Sequence, residues 1–387
     1  MSELRPWFAL KSVPGVGNLL YRRLVEHFGS PQDVLNAEPA ALTAVQGVSP
    51  RLAASIVRHR TPDAVSDAIE RELASVRQKS YRIVTLTDAG YPPLLRQIPD
   101  PPPFLYVYGT LREGGLNIAM VGSRNATDYG IATTRRLAMD LARQQVCIVS
   151  GMARGVDTAA HNGAIAAGGN TIAVLGTGLA RIYPQENERL FHRIAENGAV
   201  ISEFALHSGP DAHHFPARNR IISGMSHGTV VVEATGRSGS LITARLAAEQ
   251  NRDVFAVPGN VHSFKSVGTH SLIKQGAKLV VHAGDIMDEF SHLGHSAPAT
   301  PSTAAAPCVE LTNEEAMVMD KLDAEPVHID DLARKLALPV GRLSGLLLQL
   351  EIKGAAHQTP GNRFCRVPGI RWRPGKTRNN NQEVSSE

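Results

Sequence analysis

The chain has 387 residues with 40 Lys and Arg against 36 Asp and Glu, a formal net charge of +4. Its 20% charged and 43% hydrophobic residues support two or three folded domains and exclude disorder along the whole length. Cys147, Cys308 and Cys365 are an odd set without paired spacing, which argues against a disulfide framework or a zinc site and for a reducing compartment. No apolar run is long enough to span a bilayer, and MSELRPWFAL lacks a basic region followed by a long apolar core. The reading is a cytoplasmic protein. Arginine outnumbers lysine, which suits planar, bidentate contact with phosphate.

In chain order, residues 1–76 read as a small helical domain. Val13-Pro14-Gly15-Val16-Gly17 and Val45-Gln46-Gly47-Val48-Ser49 each join two helical patterns by a tight glycine turn. Such turns resemble a helix-hairpin-helix (SAM-like) unit, whose amides contact DNA phosphates. The alternative is a tight connection that touches nothing, since no dense basic cluster follows either turn. Residues 77–117 hold two strand-like runs, 81–86 and 104–109, around Asp100-Pro101-Pro102-Pro103, which is neither helix nor central strand.

From 116 to about 290, buried strands alternate with helices. Strands are expected at 118–121, 146–149, 172–175, 200–201, 229–232, 254–257 and 278–281. Helices are expected at 129–143, 157–167, 185–195, 217–225, 241–250 and 270–275. The pattern predicts an α/β, Rossmann-like, doubly wound and mostly parallel sheet spanning 77–290, with ligands at the carboxyl ends of its strands. Those ends carry glycine and small polar residues: Gly122-Ser123-Arg124, Ser150-Gly151, Gly176-Thr177-Gly178, Ser202-Glu203, the turn at 236–240, and Pro258-Gly259-Asn260. Glycines there let a ligand approach the backbone, and each following helix start offers free amides to an anion.

Residues 291–308, rich in Ala, Pro, Ser and Thr, read as a linker. Residues 309–370 resume helices at 313–322, 329–336 and 340–352, then a hairpin around Pro360-Gly361-Asn362: a winged-helix-like outline. Thr312 and Glu315 are spaced as a capping box. The third helix carries few cations, which argues against groove reading. The polar tail 371–387 reads as disordered.

The chemistry centres on 215–240. Pro216 suits a first helical position, which places Arg218 and Arg220 in the first turn, where the macrodipole disfavours cations. Either an anion binds there, or the arginines pair with Glu203 or Glu233. Gly176-Thr177-Gly178 lacks the third glycine of a dinucleotide fingerprint, and no P-loop lysine motif occurs. Asp157 and His161 lie one turn apart, but the spacing favours a helix cap over a metal site. Ser238 and Ser240 sit on a glycine-rich turn without a nucleophile-elbow pattern or a base, so they are assigned to anion contact. His213 and His214 are either a pH-sensitive phosphate contact or loop polar residues. What remains is a crevice lined by Arg124, Arg154, Arg218, Arg220, serines and amides, with Phe215 beside it. Guanidinium on phosphate and ring on base fits single-stranded nucleic acid.

VGSRNATDYG (121–130), SGMARGVDTAAH (150–161), TIAVLGTGLARIYPQEN (171–187), ISEF (201–204), FPARNRIISGMS (215–226) and EATGRSGSLITA (233–244), with VFAVPGN (254–260) and LIKQGA (272–277), resemble in order and spacing the DNA-processing protein A (DprA/Smf) family. The resemblance implies a non-enzymatic mediator of recombination that binds single-stranded DNA. Such proteins protect incoming strands during natural transformation, load the RecA recombinase and act as a homodimer through the α/β domain. It implies no cofactor, metal or membrane partner. Its DNA-binding set is Gly122, Ser123, Arg124, Phe215, Arg218, Asn219, Arg220, Ser238, Gly239 and Ser240. Three positions depart from the family pattern: Ala180 replaces an aspartate, His270 an asparagine, and His214 a basic residue before Phe-Pro. Two rival functions are compatible with the same residues. A nucleotide-processing, phosphoribohydrolase-like enzyme would need Glu203 or Glu233 as its carboxylate. A duplex regulator would act through the C-terminal module.

Overall fold

The computed structural model describes residues 4–59, 65–112, 114–293, 308–323, 326–359, 361–367 and 371–374. They fall into two compact units, Met1–Ala297 and Pro298–Glu387.

The first unit opens with α1 (Arg5–Ser12), α2 (Asn18–Phe28), α3 (Pro31–Asn36), α4 (Pro39–Thr43), α5 (Pro50–Arg58) and α6 (Val65–Gln78). The two glycine turns join α1 to α2 and α4 to α5. Gly15 and Gly47 hold φ of 94° and 98°, a left-handed region costly for any other residue. Ser49 caps α5 by accepting from the Leu52 amide. These helices share a core with the sheet. Trp7 stacks on Tyr21, and Phe8 stacks on Phe104 at 4.5 Å, so the apolar packing is continuous from α1 into the first strands.

The sheet begins with β1 (Arg82–Thr85), α7 (Pro93–Arg96) and β2 (Phe104–Gly109). The alternating part comes next: β3 (Asn117–Gly122), α8 (Asp128–Arg143), β4 (Cys147–Ser150), α9 (Val156–Ala166), β5 (Thr171–Val174), α10 (Glu188–Asn197) and β6 (Gly198–Ser202). It closes with α11 (His214–Gly224), β7 (Gly228–Val232), α12 (Gly239–Glu249), β8 (Asp253–Ala256), α13 (Val267–Lys274), β9 (Lys278–Leu279) and α14 (Ala283–Met287). The strand order is β1-β2-β6-β5-β4-β3-β7-β8-β9. β1 and β2 add antiparallel strands at one edge, and the rest of the ladder is parallel. Side-chain alternation divides the core: Ile118, Met120, Val230 and Val232 pack on one face, and Ala119, Val121 and Val231 on the other. This is the doubly wound, mostly parallel architecture that the strand–helix alternation predicts.

The second unit contains β10 (Cys308–Leu311), α15 (Asn313–Met319), β11 (Val327–His328), α16 (Ile329–Leu336), α17 (Val340–Ile352), β12 (Ala356–Thr359), β13 (Arg363–Arg366) and β14 (Arg371–Pro374). Leu332, Leu343, Leu347 and Leu350 fill its core beneath the β12–β13 hairpin. Thr312 and Glu315 form the expected capping box, and Lys353 pairs with the buried Glu315 carboxylate at 2.6 Å. One expectation is corrected: 371–374 are not disordered, because β14 pairs in parallel with β10. Of the expected linker and tail, residues 294–307 and 375–387 lie outside the described residues.

Candidate nucleic-acid interface

After β6 the chain crosses back to the other side of β3, where β7 pairs. At such a switch point neighbouring loops diverge and leave a crevice at the carboxyl ends of the strands. A cavity of about 480 Å³ occupies it. Gly122 and Arg124 line it from the end of β3, Ala153 from the β4–α9 turn, Asp157 from the first turn of α9, Phe215, Arg218 and Asn219 from α11, and Ser238, Gly239 and Ser240 from the start of α12. These lining residues include most of the expected set. Ser123 and Arg220 lie outside the lining. Ser123 is tied instead into the β3 edge: its amide donates to the Val232 carbonyl, and its own carbonyl accepts from the Val156 amide at 3.1 Å.

α11 starts at His214, not near Pro216, because a proline without an N–H fits anywhere in a first turn, where amides have no intrahelical partner. Arg218 and Arg220 therefore sit mid-helix rather than in the first turn, so the expected clash with the macrodipole does not arise. Arg218 is buried. It donates to the Gly151 carbonyl at 2.7 Å and to the Val174 carbonyl, with its Nε unpaired among the described residues. Burial pushes its guanidinium down to about 10, against the opposing pull of Asp157, so it stays charged near neutrality. A Cβ at Gly151 would come within 2.2 Å of this guanidinium, and a Cβ at Gly176 within 2.8 Å of the Phe215 ring. Those two glycines make room for Arg218 and Phe215 rather than for a ligand, another correction.

Arg220 faces away into an ion-pair network. It donates to Glu203, pairs with Asp100 at 3.2 Å, and reaches the Asp100 carbonyl at 2.7 Å. Asn18 of α2 donates to the same Glu203 at 3.2 Å, so the network pins α11 to the N-terminal helices. The open alternative thus divides: Arg220 takes Glu203, and Arg218 takes carbonyls with Asp157 nearby. Glu233 is engaged elsewhere, accepting from the Thr127 amide at 2.9 Å and from the Thr127 hydroxyl. Arg154 is exposed and pairs with Glu186, outside the lining.

Asp157 is the second residue of α9, and the helix N-cap is Gly155. Its carboxylate caps the turn ahead instead, accepting from the Gly151 amide at 3.1 Å and the Ala153 amide at 3.3 Å. Burial raises its pKa, opposed by Arg218 and by those two amides. The His161 ring bonds the Thr171 hydroxyl at 2.7 Å, and burial pushes it down to about 3, so it is neutral. Helical spacing alone assigns Asp157 to a cap and misses its place in the crevice. The signal for that place is its position just past the β4 end, which Ser150-Gly151 already mark.

The rim is open. The exposed Arg124 guanidinium lies 5.4 Å from the Phe215 ring centroid, a cation–π distance. Tyr183, unassigned from the sequence, sits 5.7 Å from Phe215 and is 45% exposed. Ser238 caps α12, and its hydroxyl lies 2.7 Å from that of Ser240. Asn219 reaches the Gly239 carbonyl at 3.4 Å and joins α11 to this turn. The result is a one-sided groove: a cation over an aromatic ring on one wall, a helix start on the other. His270 contacts the Gly259 carbonyl at 3.1 Å, and the Ala180 amide donates to Leu206, so both departures close their own loops.

Known proteins share this plan. A family model described as DNA recombination-mediator protein A matches residues 82–291, one described as DprA winged helix domain matches 298–362, and one described as SAM-like helix-hairpin-helix tandem matches 9–61. Protein Smf of Synechocystis sp. is 35% identical over 94% of this chain and 99% of its own. The X-ray structure of DNA processing protein A from Streptococcus pneumoniae superposes with a TM-score of 0.63 at 33% identity, covering 74% of this chain and 98% of that one. A structure of DNA processing protein A from Helicobacter pylori, described with its single-stranded DNA binding mode, gives 0.50 at 30% identity over 55% of this chain and 96% of that one.

Proposed function

Because the chain belongs to the DNA recombination-mediator protein A (DprA/Smf) family, we propose that it binds single-stranded DNA in the crevice at the β3–β7 switch point and delivers that strand to the RecA recombinase. The observation that carries this reading is Arg124 over Phe215 at the mouth of a cavity whose other wall is the start of α12. Such a pair takes a phosphate on the guanidinium and a base on the ring, whatever the base. Gly122 lines the crevice at the end of β3, the Ser238 and Ser240 hydroxyls and Gly239 line it at the start of α12, and Asn219 holds the two helices in register. Arg218 contributes charge from the floor. Ser123 and Arg220 act by fixing β3 and α11.

No chemical step is assigned. Both carboxylates that base release from a nucleotide would need, Glu203 and Glu233, are held by structural partners. We further place the protein in the cytoplasm as a homodimer through the later half of the sheet. Leu279 at the β9 edge, with Val281 two residues on, exposes apolar surface that a partner would cover. The test compares one oligonucleotide as a single strand and as a duplex, with and without RecA. Single-strand binding at least about tenfold tighter, and faster RecA filament formation, are expected. Equal or tighter duplex binding would transfer the function to the winged-helix unit.

A further inference from the structure

The turn leading into α11 carries Asp211-Ala212-His213-His214. One carboxylate oxygen and one nitrogen from each imidazole lie within 4.8 Å of one another. Among the described residues this is the one group of three His, Cys, Asp or Glu side chains so arranged. We propose that it binds a divalent first-row transition ion, zinc fitting best, at the rim of the crevice.

The His214 ring is held before any ion arrives. It stacks on Phe204 with centroids 3.9 Å apart and planes 27° from parallel. Its Nδ1 lies 3.2 Å from the Gly209 carbonyl. A carbonyl only accepts, so Nδ1 is the nitrogen that donates, which leaves Nε2 toward the carboxylate. Nε2 lies 3.9 Å from Asp211 Oδ2. A cation shared between the two would satisfy both. The gap is too long for a direct hydrogen bond. It is close to the roughly 3.4 Å between two ligands of a tetrahedral ion bound at 2.0–2.1 Å. A backbone carbonyl on one ring nitrogen is also the usual way a ligating histidine is oriented. The His213 ring, 4.4 Å from that of His214, supplies the third donor.

Two imidazoles and a carboxylate suit zinc, cobalt or nickel, whereas magnesium and calcium prefer oxygen alone. Three protein donors leave a coordination position for an outside oxygen. Pro210 and Ala212 line the crevice, and Phe215 follows His214 directly, so the ion adds positive charge beside the ring assigned to a base. This coupling rests on single-strand binding in the crevice; the metal site itself does not.

The experiment titrates the metal-depleted full chain with zinc against a chromophoric chelator, without DNA, and repeats it with cobalt to read d–d absorption. One equivalent is expected. Asp211→Asn and His213→Gln, both at exposed positions, should each weaken binding about tenfold or more, and the double variant should bind no ion at this site. Wild type and double variant that titrate alike would overturn the site, because the ion would then reside elsewhere or nowhere. In a second arm, zinc should tighten binding of a single-stranded oligonucleotide by about tenfold in wild type only, the worth of one charged contact. Zinc bound with unchanged DNA affinity overturns the coupling. A chain that binds no single strand in either condition fails the functional proposal, while the titration still decides the site.

Discussion

The floor and the rim of the crevice use the same residue type for opposite ends. On the floor, Arg218 is 4% exposed and gives its Nη1 to the carbonyls of Gly151 and Val174. On the rim, Arg124 is exposed and touches only the face of Phe215 among its described ring contacts. A buried cation that satisfies carbonyls braces the strand ends. An exposed one over a ring is free to release counterions to a phosphate. Counting arginines near a crevice therefore does not count its ligand contacts.

The largest test of that contrast is Arg218→Ala. It leaves Asp157 buried without its cation and two carbonyls without a donor, so chemical denaturation should show a loss of about 3–5 kcal/mol. Normal stability with lost DNA binding would put Arg218 on the rim and erase the distinction.

Acid should strain the floor next. His161 has its folded pKa pushed down to about 3, below the ordinary histidine value of 6.5. Between these values the unfolded chain binds a proton that the folded chain refuses, so stability falls as pH drops through that window. The slope is at most about 1.4 kcal/mol per pH unit, and the loss from pH 6.5 to 4.5 is roughly 2.3 kcal/mol. His161→Gln should flatten the slope in urea titrations at several pH values. An unchanged slope would mean other groups carry the acid response.

Arg220→Ala should cost about 2 kcal/mol, since it strips Glu203 and Asp100 of their partner, although Asn18 still donates to Glu203. The folded fraction should bind single strands nearly as before. A fall in affinity larger than the fall in stability would return Arg220 to the ligand set.

Arg124→Ala should leave the unfolding midpoint within about 0.5 kcal/mol of wild type. It should weaken single-strand binding by about 1–3 kcal/mol, equally for different base sequences, and lower the salt slope by about 0.7. Lysine there should restore only part of the affinity, because it lacks the planar fork. A melting loss comparable to that of Arg218→Ala would make the rim structural too.

Much of this was legible in one dimension. Short apolar, β-branched runs alternating with helical spacings marked the parallel sheet, because a doubly buried run and a 3.6-residue period are both local properties. Glycine at positive φ marked both helical turns at Gly15 and Gly47, and Thr312 with Glu315 announced a helix start that the structure realises. The motif series brought Gly122, Arg124, Phe215 and the 238–240 turn to one crevice, since loops after parallel strands share one edge. What only the tertiary structure decided was the fate of each charge. Arg218 meets Gly151 across 67 residues, Arg220 meets Asp100 across 120, and Asn18 meets Glu203 across 185. Burial and ion pairing depend on who arrives from elsewhere in the chain. Local patterns specify an element and its faces, but whether a cation on that face is neutralised, sequestered or left open to a ligand is set by partners that no local window contains.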